Sequence, residues 1–393
     1  MSEICATESA GFCFKRGRSI GANSYQLYFD QGEPFFGHIY DRKHHPKAKR
    51  AIPLLNRVIH LGEEKRWPHV LLQWEDFAGS NAARLLKKYR DRLCTFNDDI
   101  QGTAAVVLAT LLAAIKAAGT KLLDQRIAIL GFGSAGIGIA NLLAKALEDD
   151  GLTEQEAKAR IYPLGRPGLL VEGAEGIHPG QMEYVHPRKD VEGWQVADAK
   201  KIDLEEVVRN ANITVLIGVA GKAGMFTEAA VRAMAKNTER PVIFPLTNPT
   251  SKSEATPEDL LQWTDGKALI GTGSPFEPVK WGDREICIDQ TNNSYIFPGL
   301  ALGIVASKAR RVSDAMIMTA ARTLEKLSPA EKDRNANLLP PLKDSRRLSR
   351  VIAEAVAREA IAEGLSELKE SEVEAAVAAN VWEPKYLRYV REY

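Results

Sequence analysis

Short apolar runs alternate with longer helix-prone stretches through most of this chain. HVLLQW (69–74), IAIL (127–130), 161–164, 213–217, 242–246 and 267–270 have the length of strands and are largely apolar rather than alternating. That pattern fits parallel strands covered on both faces. Helical spacing or near-uniform apolarity marks the segments between them. Leu54, Leu55, Val58, Ile59 and Leu61 form one such segment, closed by Trp67-Pro68. Others are predicted at 81–92, at 103–118, from the glycine-rich turn after IAIL to about Leu147, and at Thr153 to Arg160. The segment 103–118 is apolar almost all round, which predicts a buried helix ending at Gly119. Thr227 is placed to cap 228–236, and Thr256-Pro257-Glu258-Asp259 carries a capping signature. Past Pro298, helices are predicted at 299–310, 313–327, about 344–363 and 370–381, with a break at Pro340-Pro341. Residues 165–200 read as polar and irregular. Residues 1 to about 50, with a basic run from Arg42 to Arg50, read as an arm that needs something to lean on.

This rhythm predicts the α/β class, a doubly wound and mostly parallel sheet with a helical carboxy-terminal cover. Each strand runs into a small polar loop. These are Glu75-Asp76, Gly131 to Gly136, Gly218 to Gly221, Thr247 to Thr250, Gly271 to Pro275 and Gln290 to Asn293. In an open parallel sheet such loops share the carboxyl edge, where ligands bind. The sharpest of them is Gly131-x-Gly133-x-x-Gly136, between IAIL and a helix-prone segment. In a Rossmann-type unit the first glycine permits the turn, the second lets the backbone approach a diphosphate, and the third lets helix and strand pack closely. The diphosphate then lies on the helix amino terminus.

Charge and composition narrow the partner. The 393 residues suffice for two domains, or one large one with additions. With 52 basic against 51 acidic residues there is no field to draw nucleic acid or anionic lipid, so a small molecule is expected. Cys5, Cys13, Cys94 and Cys287 are scattered, which suggests neither a disulfide framework nor a zinc site. His44 and His45 sit in a Lys-rich stretch and read as solvated. No apolar run approaches the ~20 residues of a membrane span. Glu3 and Glu8 do not suit a signal or transit peptide. A soluble, cytoplasmic protein is expected.

Glu75, Asp76 and Asp99 are oxygen donors without a neighbouring His or Cys. Hard oxygen ligands suit Mg²⁺ or Mn²⁺, which can polarise a carbonyl and hold enolate charge. Residue types alone leave open that these acids merely cap helices and decorate loops.

LLQWEDF (71–77), TFNDDIQGTAAV (95–106), ILGFGSAGIGIA (129–140), LTNPTSKSEATPEDL (246–260), GTGSPF (271–276) and NNSYIFPGLALGIVASKARRVSD (292–314) together closely resemble malic enzyme. The resemblance spans roughly residues 65–385. It implies oxidative decarboxylation of L-malate to pyruvate with NAD or NADP and a divalent cation, Mg²⁺ or Mn²⁺, in a homo-oligomer. Carried over by residue, it implies Glu75, Asp76 and Asp99 as metal ligands, and Asp98 as a neighbouring acid that orients the general base. It also implies Asn248 and Asn292 or Asn293 as holders of the malate carboxylates. Gly131, Gly133, Ser134, Ala135 and Gly136 would hold the cofactor phosphates, with Arg166, Gly218 and Asn248 beside the dinucleotide.

Two features depart from the family pattern. The Y-T-P-T-type segment with the general-acid Tyr and the G-I-P-I-G-K-type segment with the general-base Lys are not found. Residues 1 to about 60 match poorly, as if the amino-terminal domain were missing. No Tyr or Lys of this chain is therefore assigned either role, and Lys222 reads as a loop lysine. Where an acid ordinarily meets the adenosine ribose stands Gly165, followed by Arg166. NAD is favoured on family grounds and NADP is the alternative. The expected segments are a divergent arm (1–60), a remnant of the metal and substrate domain (61–120), an NAD(P)-binding domain (121–300) and carboxy-terminal helices (301–393). Two other readings stay open: a malolactic-type decarboxylase, and a non-catalytic cofactor- or malate-binding module.

Overall fold

The structure, a computed structural model, describes residues 71–381 apart from 76 and 78, together with the backbone of 4–5, 13–16 and 24–28. The segment 54–61, Trp67-Pro68, His44, His45, the 42–50 run and Asp76 lie outside the described residues. In chain order the elements are β1 (Ile4–Cys5), β2 (Cys13–Arg16), β3 (Ser24–Tyr28), β4 (Leu71–Trp74), α1 (Gly79–Tyr89), β5 (Thr95–Asn97), α2 (Thr103–Ala118), β6 (Ile127–Leu130) and α3 (Ser134–Asp149). Next come α4 (Glu154–Ala159), β7 (Ile161–Gly165), β8 (Gly168–Leu169), α5 (Leu204–Ala211), β9 (Val215–Gly218), α6 (Glu228–Asn237), β10 (Val242–Pro245), α7 (Pro257–Trp263) and β11 (Leu269–Thr272). The chain continues through β12 (Val279–Trp281), β13 (Arg284–Ile286), β14 (Asp289–Gln290), α8 (Phe297–Ser307), α9 (Asp314–Lys326), α10 (Ser345–Ala362) and α11 (Val373–Asn380).

Two compact units emerge, and both are discontinuous in sequence. The first takes the chain to Asn97, then Phe297–Met316, then everything from Ser349. Its sheet has the order β1-β2-β3-β4-β5. The pairs β1–β2 and β2–β3 are antiparallel, whereas β3–β4 and β4–β5 are parallel. The arm thus adds strands to β4. Trp74 is fully buried, edge-on to Phe77 and tilted against Tyr89. Small residues let α8 approach α10: a Cβ on Gly299 would stand 2.7 Å from the Ile352 Cβ, and one on Gly303 would stand 2.6 Å from the Ala353 carbonyl oxygen.

The second unit holds Asp98–Ile296 and Ile317–Leu348. Its seven-stranded sheet runs β14-β11-β10-β9-β6-β7-β8, parallel throughout except for the β7–β8 hairpin. Every residue of β6, β9, β10 and β11 is buried, as expected for parallel strands covered on both faces. The chain leaves β6 for β7 on one side, then returns to place β9 on the other. The order therefore reverses between β6 and β9, which makes their carboxyl ends the topological switch point.

Residues 98–118 form a continuous helical stretch of 21 residues, long and apolar enough to span a membrane by composition. This corrects the expectation that no apolar run approaches that length. Most of the stretch is buried within the protein, so its apolarity serves the core. Asp98–Gly102 is a wide π-helical turn, α2 follows, and Gly119 closes it with φ +73°. The sequence pattern did not single out α5. Its signal was present, since Asp203 accepts the Glu206 N–H at 2.9 Å while the Glu206 carboxylate accepts the Asp203 N–H, a reciprocal capping box.

Candidate functional site

The glycine turn sits at the switch point. Gly131 has φ +99°, a conformation that glycine adopts without cost, and a Cβ there would stand 2.4 Å from the Val219 carbonyl oxygen and 2.6 Å from the Ala220 nitrogen. The loop after β9 is thus laid directly against the loop after β6. Gly136 is equally constrained, with a Cβ 2.7 Å from the Gly131 carbonyl oxygen. Gly133 differs: it is exposed, and a Cβ there would meet no atom within 4 Å. Packing requires glycine at 131 and 136 but not at 133, where the backbone faces open space. Gly133 is also the N-cap of α3 and contributes no side-chain cap, so backbone N–H groups and the positive end of the helix dipole face that space. Ser134 and Ala135, half-buried, open the helix. A diphosphate would fit against this turn, and a dinucleotide with it.

Phe132 lies between these glycines but points into the core, packed edge-on against Tyr184, and its carbonyl accepts the Gln181 Nε2–H at 2.6 Å. On the far side of β6, the β7–β8 turn carries Gly165 and the exposed Arg166. A Cβ on Gly168 would stand 2.2 Å from the Ile202 carbonyl oxygen, so that turn is held tightly to the chain beneath it.

The remaining carboxyl-edge loops are joined through side chains. Gly218, the last residue of β9, is buried; a Cβ there would lie 2.6 Å from the Glu254 carboxyl carbon. Asn248, exposed after β10 and joined to Pro249 by a cis peptide, accepts the Ser274 hydroxyl through Oδ1 at 2.5 Å. Its Nδ2 can still donate to a carboxylate. Asn292 accepts the Ser294 N–H at 3.0 Å and so caps the turn Asn293–Tyr295. Asn293 donates through Nδ2 to Asp98 Oδ2 at 2.6 Å. Asp98 is fully buried, and a Cβ on Gly102 would lie 1.9 Å from its Oδ1, so the carboxylate is held from both sides.

The three expected metal donors fall in different places. Glu75 follows β4 in the first unit, half-buried, and accepts the Gln73 amide at 2.9 Å. Asp99, also half-buried, lies in the π-helical turn of the second unit. Asp76 is outside the described residues. Among the described residues, no group of three or more His, Cys, Asp and Glu side chains gathers as a metal site. The donor set itself, oxygen only, suits Mg²⁺ or Mn²⁺.

A cavity of about 430 Å³ lies elsewhere, lined by Arg126, Arg160, Tyr162, His186 and Trp194 among others. Arg126 and Arg160 immediately precede β6 and β7, so this cavity opens at the amino edge of the sheet, opposite the glycine turn. Tyr162 stacks on His186, whose pKa is lowered by burial, and the Arg126 guanidinium lies over the Tyr162 ring. Its place at the amino edge separates it from the switch point, which lies at the carboxyl edge.

Sequence reasoning placed Thr247 and Ser274 in loops of the carboxyl edge without giving their side chains a role, and it missed Glu254 there. All three lie within quoted motifs, but only the folded chain shows what their side chains reach.

The model of the family "Malic enzyme, NAD binding domain" matches residues 100–361. The NAD-dependent malic enzyme of Proteus mirabilis is 50% identical over 329 residues, covering 84% of this chain and 58% of the relative. That of Pseudomonas savastanoi is 50% identical over 373 residues, covering 95% of this chain and 65% of the relative. The second alignment covers 95% of this chain, so the similarity reaches well into the first 60 residues, further than the motifs alone indicated. In these comparisons the chain spans about three fifths of the length of the curated relatives it matches. The fold is shared with the malic enzyme of Entamoeba histolytica (TM-score 0.69, 21% identity, 93% of this chain and 67% of that one). It is shared too with that of Pyrococcus horikoshii (TM-score 0.64, 24% identity, 83% and 69%). With a family model matched over residues 100–361 and 50% identity to two curated relatives across the aligned residues, this chain belongs to the malic enzyme family.

Proposed function

We propose that this chain binds NAD at the β6–β9 switch point and acts in the oxidative decarboxylation of L-malate to pyruvate and CO₂. The observation that carries the reading is the glycine turn, with an open backbone at Gly133 and the β9 and β10 loops gathered beside it. When bound, NAD accepts a hydride from C2 of malate, and Mg²⁺ or Mn²⁺ supplies Lewis acidity toward the resulting 2-oxo group. The hydroxyl proton leaves to a base, the β-carboxylate departs as CO₂, and a proton returns to C3. Gly131 to Gly136 hold the diphosphate, and Asn248 and Asn292 donate amide N–H to the malate carboxylates. Asn293 acts one step back, holding Asp98 in place. The resemblance of the two acidic motifs to malic enzyme supports Glu75, Asp76 and Asp99 as the oxygen ligands of the cation. Self-association and a cytoplasmic location belong to the same proposal.

Incubation with L-malate, NAD and Mn²⁺ tests it. NADH absorbance together with pyruvate supports the reading. Lactate without net NADH would make the chain a malolactic-type decarboxylase, and NADH binding with neither product would make it a binding module. Asp99→Ala is expected to abolish Mn²⁺ binding, followed by the paramagnetic resonance of free Mn²⁺, and to leave NADH binding intact. Equal loss of both would argue against separate metal and dinucleotide sites.

A further inference from the structure

Glu254 has no exposed surface, yet it belongs to no strand, helix or glycine motif. Its carboxylate is surrounded by donors from two loops. Oε1 accepts the Ala220 N–H at 2.9 Å and the Thr247 hydroxyl, while Oε2 accepts the Thr247 N–H at 3.2 Å. The same Thr247 hydroxyl oxygen accepts the Gly221 N–H at 3.0 Å. A buried carboxylate is costly unless it is saturated with donors, and these donors come from the ends of β9 and β10 alone. Gly218 leaves the space through which the side chain passes, since a Cβ there would lie 2.6 Å from the Glu254 carboxyl carbon. The main chain at 253–254 runs beside 224–226, with the Phe226 N–H donating to the Glu254 carbonyl at 3.0 Å, so the carboxylate is anchored from behind.

Both loops that Glu254 holds are walls of the proposed dinucleotide crevice. Val219 and Ala220 are the atoms against which Gly131 is laid, and Asn248 directly follows Thr247. One side chain therefore sets the cofactor turn and the proposed substrate amide together. We propose that Glu254 is a positioning residue that, through Thr247, fixes the nicotinamide-side wall of the crevice relative to Asn248. The inference rests on the reading of this edge as the NAD site. The adenosine side, at the β7–β8 turn, lies across β6 and receives none of these hydrogen bonds.

Glutamine in place of Glu254 keeps the shape but turns one acceptor into a donor. Its amide nitrogen must then face an N–H or O–H of the same two loops, which drives them apart. The test uses the full chain with Glu254→Gln, Thr247→Val and Thr247→Ser, titrated with NADH by fluorescence and with AMP by calorimetry. Wild type is expected to bind both. Glu254→Gln and Thr247→Val should each weaken NADH about tenfold while AMP stays within about twofold, given the usual worth of hydrogen bonds to a charged group. Thr247→Ser, which keeps the hydroxyl, should bind NADH as wild type does. The Glu254→Gln/Thr247→Val double variant should be no weaker than the worse single one, because both break one network. Unchanged NADH affinity in the two disruptive variants would overturn the proposal, as would a parallel loss of AMP, which marks general destabilisation. If Glu254→Gln does not fold, Thr247→Val decides alone. Wild type binding neither ligand would remove the NAD reading and this inference together.

Discussion

Gly131 and Gly133 share a motif and differ in their physics. At 131 both the positive φ and the wall formed by Val219 and Ala220 exclude a side chain; at 133 nothing of the protein does. Gly131→Ala should therefore lower stability by more than the roughly 1–2 kcal/mol that positive φ alone costs a residue bearing a Cβ. Gly133→Ala should unfold with urea as wild type does and yet bind NADH more weakly. Weakened binding with unchanged stability identifies a glycine kept for a ligand rather than for packing. Asp289 shows a second effect at this scale. It is buried where β14 begins, it accepts the Leu338 N–H at 2.7 Å and the Asn337 amide at 3.0 Å, and desolvation raises its pKa from 3.8 to about 6. Because the folded value lies above the unfolded one, the protonated form favours folding. That contribution is full below about pH 4 and is lost as pH rises through about 6. At 1.36 kcal/mol per pH unit it amounts to about 3 kcal/mol. Urea unfolding from pH 4.5 to 7 should show wild type losing stability relative to Asp289→Asn as pH rises. A constant difference across that range would contradict this.

At the scale of elements, the apolar runs found their places because parallel strands bury both faces, so little in their sequence alternates. The strand predicted at 213–217 is β9 at Val215–Gly218, and that predicted at 267–270 is β11 at Leu269–Thr272. Shifts of this size arise because residues next to a buried strand are apolar as well. Helix ends were sharper wherever capping chemistry marks them, as at Thr227, Thr256 and Gly119. The helix α5 was passed over because it is short and follows a long polar stretch, although Asp203 and Glu206 cap each other. Asp203→Ala removes one half of that box and should cost about 1 kcal/mol in urea unfolding. Glu206, which also accepts the Ala197 N–H, should cost more when replaced by Ala.

Across the whole molecule, the α/β class, the glycine turn and the resemblance to malic enzyme were legible because each is carried by residues adjacent in sequence. A turn, a cap or a buried strand is a local solution to local constraints, and the sequence by itself determined them. The strand order that makes β6–β9 the switch point was not legible, nor was the pairing of Asn293 with Asp98, 195 residues apart. The membership of the two discontinuous units was equally hidden, as was the closing of Glu254 over Gly218. These depend on which distant donors, acceptors and apolar surfaces satisfy one another once water is excluded, and that selection is made by the tertiary structure alone.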